Sequence, residues 1–173
     1  MNKYLLDVYN PFKVEFLYGK GSTLFDKKGN DYIDFTSGIG VSCLGHGNKK
    51  LVETISKQAK KFLHLSNIYP INTQEECAKK VAALSGYKNM QGFFCNSGAE
   101  ANETAIKFIR KYAKSKGIKK HNIITLENSF HGRTIATLNA TGQKDKQLGF
   151  EPLPNEFIYA KNLEYTKNKI DKN

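Results

Sequence analysis

Cysteine is scarce in this chain: Cys43, Cys77 and Cys95 are the only three. They lie too far apart for a zinc site or a Cys-x-x-Cys redox pair, and an odd number argues against a disulfide framework. They read as reduced, small apolar residues. Long apolar runs are missing too, since none approaches the roughly 20 residues that a membrane helix needs. The first ten residues, Met1 to Asn10, lack the basic, apolar and small-residue zones of a secretory leader. Neither a membrane partner nor export is expected, and the chain reads as cytoplasmic. Arginine is the scarcest of the charged residues, with only Arg110 and Arg133 among 27 basic side chains. A net charge of +11 would attract phosphates without regard to sequence. The lysines, however, spread along the whole chain without interleaved aromatics, and bidentate recognition of bases or phosphates favours arginine. A nucleic-acid partner is therefore not expected, and neither is a metal.

What is present fits a soluble globular chain: 173 residues, 39% apolar and 25% charged, enough for one domain with a sizeable core. Residues 1–47 read as short strands and turns. Thr23–Asp26 and Asp31–Phe35 flank Lys27-Lys28-Gly29-Asn30, a hairpin signal in which glycine or asparagine supplies a positive φ. A glycine-spaced loop, Ser37 to Gly47, follows. Two amphipathic helices come next. Leu51, Ile55, Ala59 and Phe62 share a face behind an Asn48 cap, and Cys77, Val81 and Leu84 follow a Thr73–Glu76 capping box, with Gly86 as a stop.

Gln91–Cys95 then reads as a strand, Ala99–Lys116 as a helix closed by Gly117, and Asn122–Leu126 as a second strand. Together they form one βαβ unit with parallel pairing. On that helix Lys107, Lys111 and Lys114 recur at the spacing of a solvated face. After Thr141-Gly142 the sequence turns polar, and an irregular chain without a closing element is expected.

Two loops can carry chemistry. Asn96-Ser97-Gly98-Ala99-Glu100 sits between the strand and the helix N-terminus, where unpaired N–H groups and the helix dipole favour an anion and Gly98 admits close approach. Ser97 could equally be a plain helix cap. Ser129-Phe130-His131-Gly132-Arg133-Thr134 follows the second strand, so both loops should open onto one crevice at the strands' carboxyl ends. There an aromatic can stack on a flat ring and an arginine can hold a carboxylate through two bonds. A core phenylalanine beside a surface arginine is the alternative. Taken together, the loops suit a planar phosphorylated cofactor that handles an amino acid.

The runs Phe93 to Lys107 and Ser129 to Thr134 closely resemble the two N-terminal signatures of class III aminotransferases. The Asp31–Phe35 hairpin, the loop Gly38 to His46, and Gly149-Phe150-Glu151-Pro152 match the same family in the same order. One departure is that Gly47-Asn48 stands where the family usually has His-Pro. The resemblance implies an α/β fold, the N-terminal part of a fold-type I transferase dependent on pyridoxal 5'-phosphate. Residues 1–47 would be an N-terminal segment, and 48–173 the first, incomplete part of a large domain with a mainly parallel sheet.

The resemblance further implies that the N–H groups of Gly98 and Ala99 bind the cofactor phosphate, Phe130 stacks on the pyridine ring, and Arg133 binds a substrate carboxylate. His131 and Ser97 receive no chemical role. Within the class, Asn96 to Glu103 is most similar to the acetylornithine branch, and Ile39 stands where ornithine-specific members carry a tyrosine. The implied substrates are an amino acid, acetylornithine, and the 2-oxo acid 2-oxoglutarate, with ornithine, succinyldiaminopimelate or 4-aminobutyrate as alternative donors. A homodimer is implied for the full-length enzyme. Family members are more than twice as long, and no lysine here matches the motif of the cofactor-anchoring Schiff-base lysine. The chain is thus expected to contain no catalytic residue and to be inactive by itself. A short non-catalytic protein that binds phosphate or a partner is the competing expectation.

Overall fold

The structure, a computed structural model, describes residues 4–87, 89–119 and 121–170. The chain divides into two compact units, Met1–Asn72 and Thr73–Asn173.

In the first unit β1 (Phe16–Lys20), β2 (Thr23–Asp26) and β3 (Asp31–Ile33) form an antiparallel sheet in that order. The expected hairpin is its β2–β3 half, with Leu24 opposite Tyr32. Its turn is organised by one carboxylate: Asp26 accepts from the backbone N–H groups of Lys28 and Asn30, the Asn30 amide and the Tyr32 hydroxyl, all at 2.8–3.0 Å. Tyr18 stacks on Phe25 at 4.6 Å between ring centroids, a cross-strand pair that supports the register. A second carboxylate, Asp34, organises the glycine-spaced loop. It accepts from His46 Nε2, Thr36 Oγ1 and Ser37 N at 2.8 Å, and from Thr36 N at 3.1 Å. His46 and Gly21 also exchange backbone hydrogen bonds, which closes the loop onto the sheet.

Between these anchors lies the single turn α1 (Ser37–Gly40), left-handed throughout, with positive φ at Ser37, Gly38, Ile39 and Gly40. Helix α2 (Lys49–Ala59) begins at the expected cap, where Asn48 Oδ1 accepts from Leu51 N at 3.1 Å. It stops before Phe62, so that residue follows the helix instead of completing its apolar face.

The second unit is α/β and begins with α3 (Asn72–Ser85). Thr73 lies inside its first turn and not at the cap, because the helix starts two residues earlier than the capping box requires. Gly86 ends it at φ 73°. The strand expected over Gln91–Cys95 is not formed. A strand is defined by its hydrogen-bonded neighbour, and none pairs with this run, which leaves Phe93 67% and Phe94 43% exposed. The βαβ unit expected there is therefore corrected. The parallel pair is instead β4 (Ile123–Leu126) with β5 (Phe157–Ala160), in register from Ile123↔Phe157 to Leu126↔Ala160.

Between them lie α5 (Ile135–Ala140) and the short α6 (Lys144–Gln147), and α7 (Leu163–Lys167) follows. The irregular chain expected after Gly142 is thus overturned as well: Phe157-Ile158-Tyr159-Ala160 is a four-residue strand hidden among polar neighbours.

Helix α4 (Gly98–Ser115) buries Ile106 and Ala113, α5 buries Thr137 to Ala140, and β5 contributes Ala160. These make a small, partly polar core whose donors are used internally. The buried Asn139 amide donates to the Pro154 carbonyl, and Thr141 Oγ1 donates to Thr137 O at 2.9 Å. Arg110 of α4 holds Glu156, beside β5, by two guanidinium nitrogens. This charged bond raises the arginine further above its ordinary range. Among the described residues no helix is long and apolar enough to cross a membrane, and no three metal-binding side chains cluster. All three cysteines are free and exposed, not packed as apolar residues.

Two outcomes follow. A Cβ on Gly142 would stand 2.2 Å from the Leu126 carbonyl oxygen and 2.9 Å from Glu127 Cα, both backbone atoms that cannot swing aside. Gly142→Ala should therefore destabilise the second unit by about 3 kcal/mol, the upper end of overpacking costs, measured by urea unfolding. The second concerns pH. The hydrogen bond from His46, aided by those from Thr36 and Ser37, holds the Asp34 carboxyl at about 2, below its ordinary 3.8. A value depressed by folding stabilises the native state above the unfolded-state pKa and is lost as pH falls through the folded one. Stability of the parent should thus fall between about 3.8 and about 2 more steeply than that of Asp34→Asn. Equal slopes in acid titrations followed by circular dichroism would remove this role.

Candidate functional site

Both expected loops lie in the second unit and meet at the start of α4. Ser97, extended at φ −150° and ψ 161°, caps the helix by accepting from Glu100 N at 3.2 Å. The Glu100 side chain reaches back to Asn96 N at 2.5 Å. The Ser97 carbonyl takes the N–H of Ala101. The first N–H groups of a helix have no partner within it, and no bond among the described residues takes those of Gly98 and Ala99. Beside them, a Cβ built on Gly98 would meet nothing within 4 Å. Two unpaired donors at the positive end of an 18-residue helix, with open space alongside, fit a phosphate group.

The second loop carries Phe130, 59% exposed, with the Arg133 guanidinium 5.4 Å from its ring centroid. At that distance the cation faces the ring's electron-rich π system. No ion pair among the described residues engages Arg133, so its fork is available to an incoming carboxylate. The ring of Phe130 offers a flat apolar surface beside it. These features suit the planar, phosphate-bearing group that the loops suggest.

What joins the loops is tight packing. Gly132, at φ 136°, leaves no room for a side chain: a Cβ there would stand 2.5 Å from Thr137 Oγ1 and 2.8 Å from Ala99 Cβ. The Asn102 amide donates to the His131 carbonyl at 2.7 Å, and the Thr134 hydroxyl donates to Glu103. From the other side His131 N donates to Thr141 Oγ1 at 3.0 Å, and Thr134 caps α5 in a reciprocal capping box with Thr137. The structure thus brings together the stretches that carry the expected Gly98, Ala99, Phe130 and Arg133, and the residues that join them, Asn102, Glu103, Thr137 and Thr141, were not expected. Their signal was present: Asn102 and Glu103 stand one helical turn after Gly98 and Ala99, on the same face. His131 takes part through its backbone. Its Nε2, like Thr125 Oγ1, is buried without a partner among the described residues, and both residues line a cavity with Leu126, Ser129 and Leu163.

The chain matches the sequence profile of the family Aminotransferase class-III over residues 7–173. It is 51% identical over 171 residues to an acetylornithine aminotransferase of Wolinella succinogenes, covering 98% of this chain and 43% of that relative. Among solved structures, the ornithine aminotransferase of Toxoplasma gondii superposes with a TM-score of 0.83 at 28% identity, over 91% of this chain and 37% of that one. The N-acetylornithine aminotransferase of Stenotrophomonas maltophilia matches at TM-score 0.65 and 40% identity, over 70% and 34%. The chain therefore spans about two fifths of the length of the relatives it matches. With a profile match along nearly its whole length and a half-identical relative covering almost all its residues, the chain belongs to the class-III aminotransferases.

Proposed function

We propose that this chain supplies the phosphate cradle, the ring-facing aromatic and one substrate-binding arginine of a transaminase that uses pyridoxal 5'-phosphate. One observation carries the reading. The unpaired N–H groups of Gly98 and Ala99 are locked by packing to the loop that presents Phe130 and Arg133. When bound, the cofactor supplies an electron-withdrawing ring and an aldehyde carbon able to accept an amino group.

The residues of this chain bind and orient. Gly98 and Ala99 donate to the phosphate, and the helix dipole adds to their attraction. Phe130 covers one ring face and excludes water from it. Arg133 holds the carboxylate of an amino acid or 2-oxo acid by two parallel charge-assisted bonds. The anchoring lysine of the family matches no lysine here, and its proton transfers belong to the remainder of a longer protein. In that setting residues 1–47 act as an N-terminal segment and 48–173 as the first part of the cofactor domain, within a cytoplasmic homodimer.

The amino donor we favour is acetylornithine, with 2-oxoglutarate as acceptor, giving N-acetylglutamate semialdehyde and glutamate as in arginine biosynthesis. The relatives' names and Ile39 at the position of the ornithine-specific tyrosine support this choice. Ornithine, succinyldiaminopimelate and 4-aminobutyrate are the competing donors, and initial rates with each, in the full-length protein, separate them.

Two variants of the full-length protein test the site. Because a side chain at Gly98 meets no neighbour, Gly98→Val should unfold at the parent's temperature yet bind pyridoxal 5'-phosphate at least about tenfold more weakly, by crowding the phosphate. Unchanged cofactor affinity would reduce the loop to a structural turn. Arg133→Lys keeps the charge but loses the fork, and should lower kcat/KM about tenfold or more in the half-reaction whose carboxylate it serves, with cofactor retained. Parental rates in both the acetylornithine and the glutamate half-reactions would make Arg133 a surface residue.

A further inference from the structure

Cradle and clamp come from two separate stretches of chain, Ser97–Ala99 and Phe130–Arg133, and one side chain bonds directly between the helix of the first and the backbone of the second. Asn102 stands four residues after Gly98 and three after Ala99, on the face of α4 that meets the loop. Its Nδ2 donates at 2.7 Å to the carbonyl of His131, which lies next in sequence to Phe130 and two residues before Arg133. Asn102 and His131 are both partly buried, so the bond is sheltered from competing water. The His131 N–H is already taken by Thr141 Oγ1, so the flanking backbone groups of this one residue are fixed from opposite sides, by α4 and by the end of α5.

We propose that Asn102 is a positioning residue: its amide sets where the Phe130 ring and the Arg133 guanidinium stand relative to the N–H groups of Gly98 and Ala99. This rests on the site reading given above. Chemistry singles out an amide. The group faced is a carbonyl, which only accepts, so the partner must donate. An aspartate of the same shape presents acceptors alone at neutral pH, and leucine of similar bulk presents neither. Thr134 and Glu103, the residue after Asn102, tie the next part of the loop but do not bond the Phe130–His131 segment.

The test uses the full-length protein loaded with pyridoxal 5'-phosphate, in the parent and in Asn102→Leu and Asn102→Ala. The readouts are visible circular dichroism of the bound cofactor, which reports ring orientation, cofactor affinity by equilibrium dialysis, and KM and kcat for each half-reaction. With the His131 carbonyl released, the visible dichroic band should fall to about half or less, and KM for the carboxylate substrate should rise about tenfold. Phosphate affinity should change much less, since Gly98 and Ala99 are untouched. Adding Asn102→Asp separates donor from bulk: it should behave as Asn102→Leu does. A parental dichroic band and KM in the variants, with only the melting temperature lowered, overturns the proposal and leaves Asn102 a packing residue. If Asn102→Leu does not fold, Asn102→Ala, which adds no bulk, decides by the same readouts. Failure of the parent itself to bind the cofactor overturns the site reading, and this inference with it.

Discussion

The close contact of Gly132 with Ala99 and Thr137 is the constraint on which the second unit's geometry depends. At this point α4, the loop after β4 and the start of α5 come within the distance of a single missing methyl group. No side chain fits, and the φ of 136° is one that other residues rarely adopt. Position 132 is thus constrained twice, by space and by backbone conformation. The hydrogen bonds of Asn102, Thr134 and His131 are each of ordinary strength, about 1 kcal/mol net. They form because the packed glycine brings their partners within reach. A helix N-terminus is by itself a common feature. Here it is fixed against an exposed aromatic and an arginine without an ion pair among the described residues, and on that juxtaposition the proposed site rests.

The legible part of this fold was that encoded by local signals. The hairpin turn at Lys27–Asn30, the Asn48 cap, the Gly86 stop and the long helix α4 each rest on residues close in sequence, and each is found. The missed parts depend on partners. Phe93 and Phe94 have strand composition without a ladder, while Phe157–Ala160 has a ladder but is only four residues long between polar flanks that hid it. The Thr73 box failed for a subtler reason, since its spacing was right but the helix began two residues earlier. At the site, residue types alone marked Gly98, Phe130 and Arg133. Asn102 carried only its helical spacing from Gly98 as a signal, and Thr141 none, because each acts on a backbone group of His131 distant in sequence.

The first unit is organised differently. Among its described residues none is fully buried, and its order comes from two carboxylates, each accepting four hydrogen bonds. Asp26 fixes a turn and Asp34 fixes a loop, and both are pulled well down in pKa by the donors around them. Such an arrangement specifies backbone shape without a hydrophobic core. The apolar face of α2, including Leu51 and Ile55, stays exposed. It is this polar scaffold that holds Ile39 in a left-handed conformation costly for a β-branched residue and keeps its side chain outward.

The scarcity of arginine, which argued against nucleic acid, acquires a positive meaning in the structure. Lysine supplies nearly all of the positive charge, and at Arg110 a planar fork does what an ammonium cannot. Arg110 engages Glu156 through two nitrogens at once and so ties the middle of α4 to the start of β5. Arg133 lies against the face of Phe130, with no ion pair to its charge among the described residues. One guanidinium is consumed in holding the helix, and the other lies over the Phe130 ring. A chain this rich in lysine could have placed a positive charge at position 133 with a lysine, but only the fork can rest on an aromatic ring and still offer parallel donors to a carboxylate.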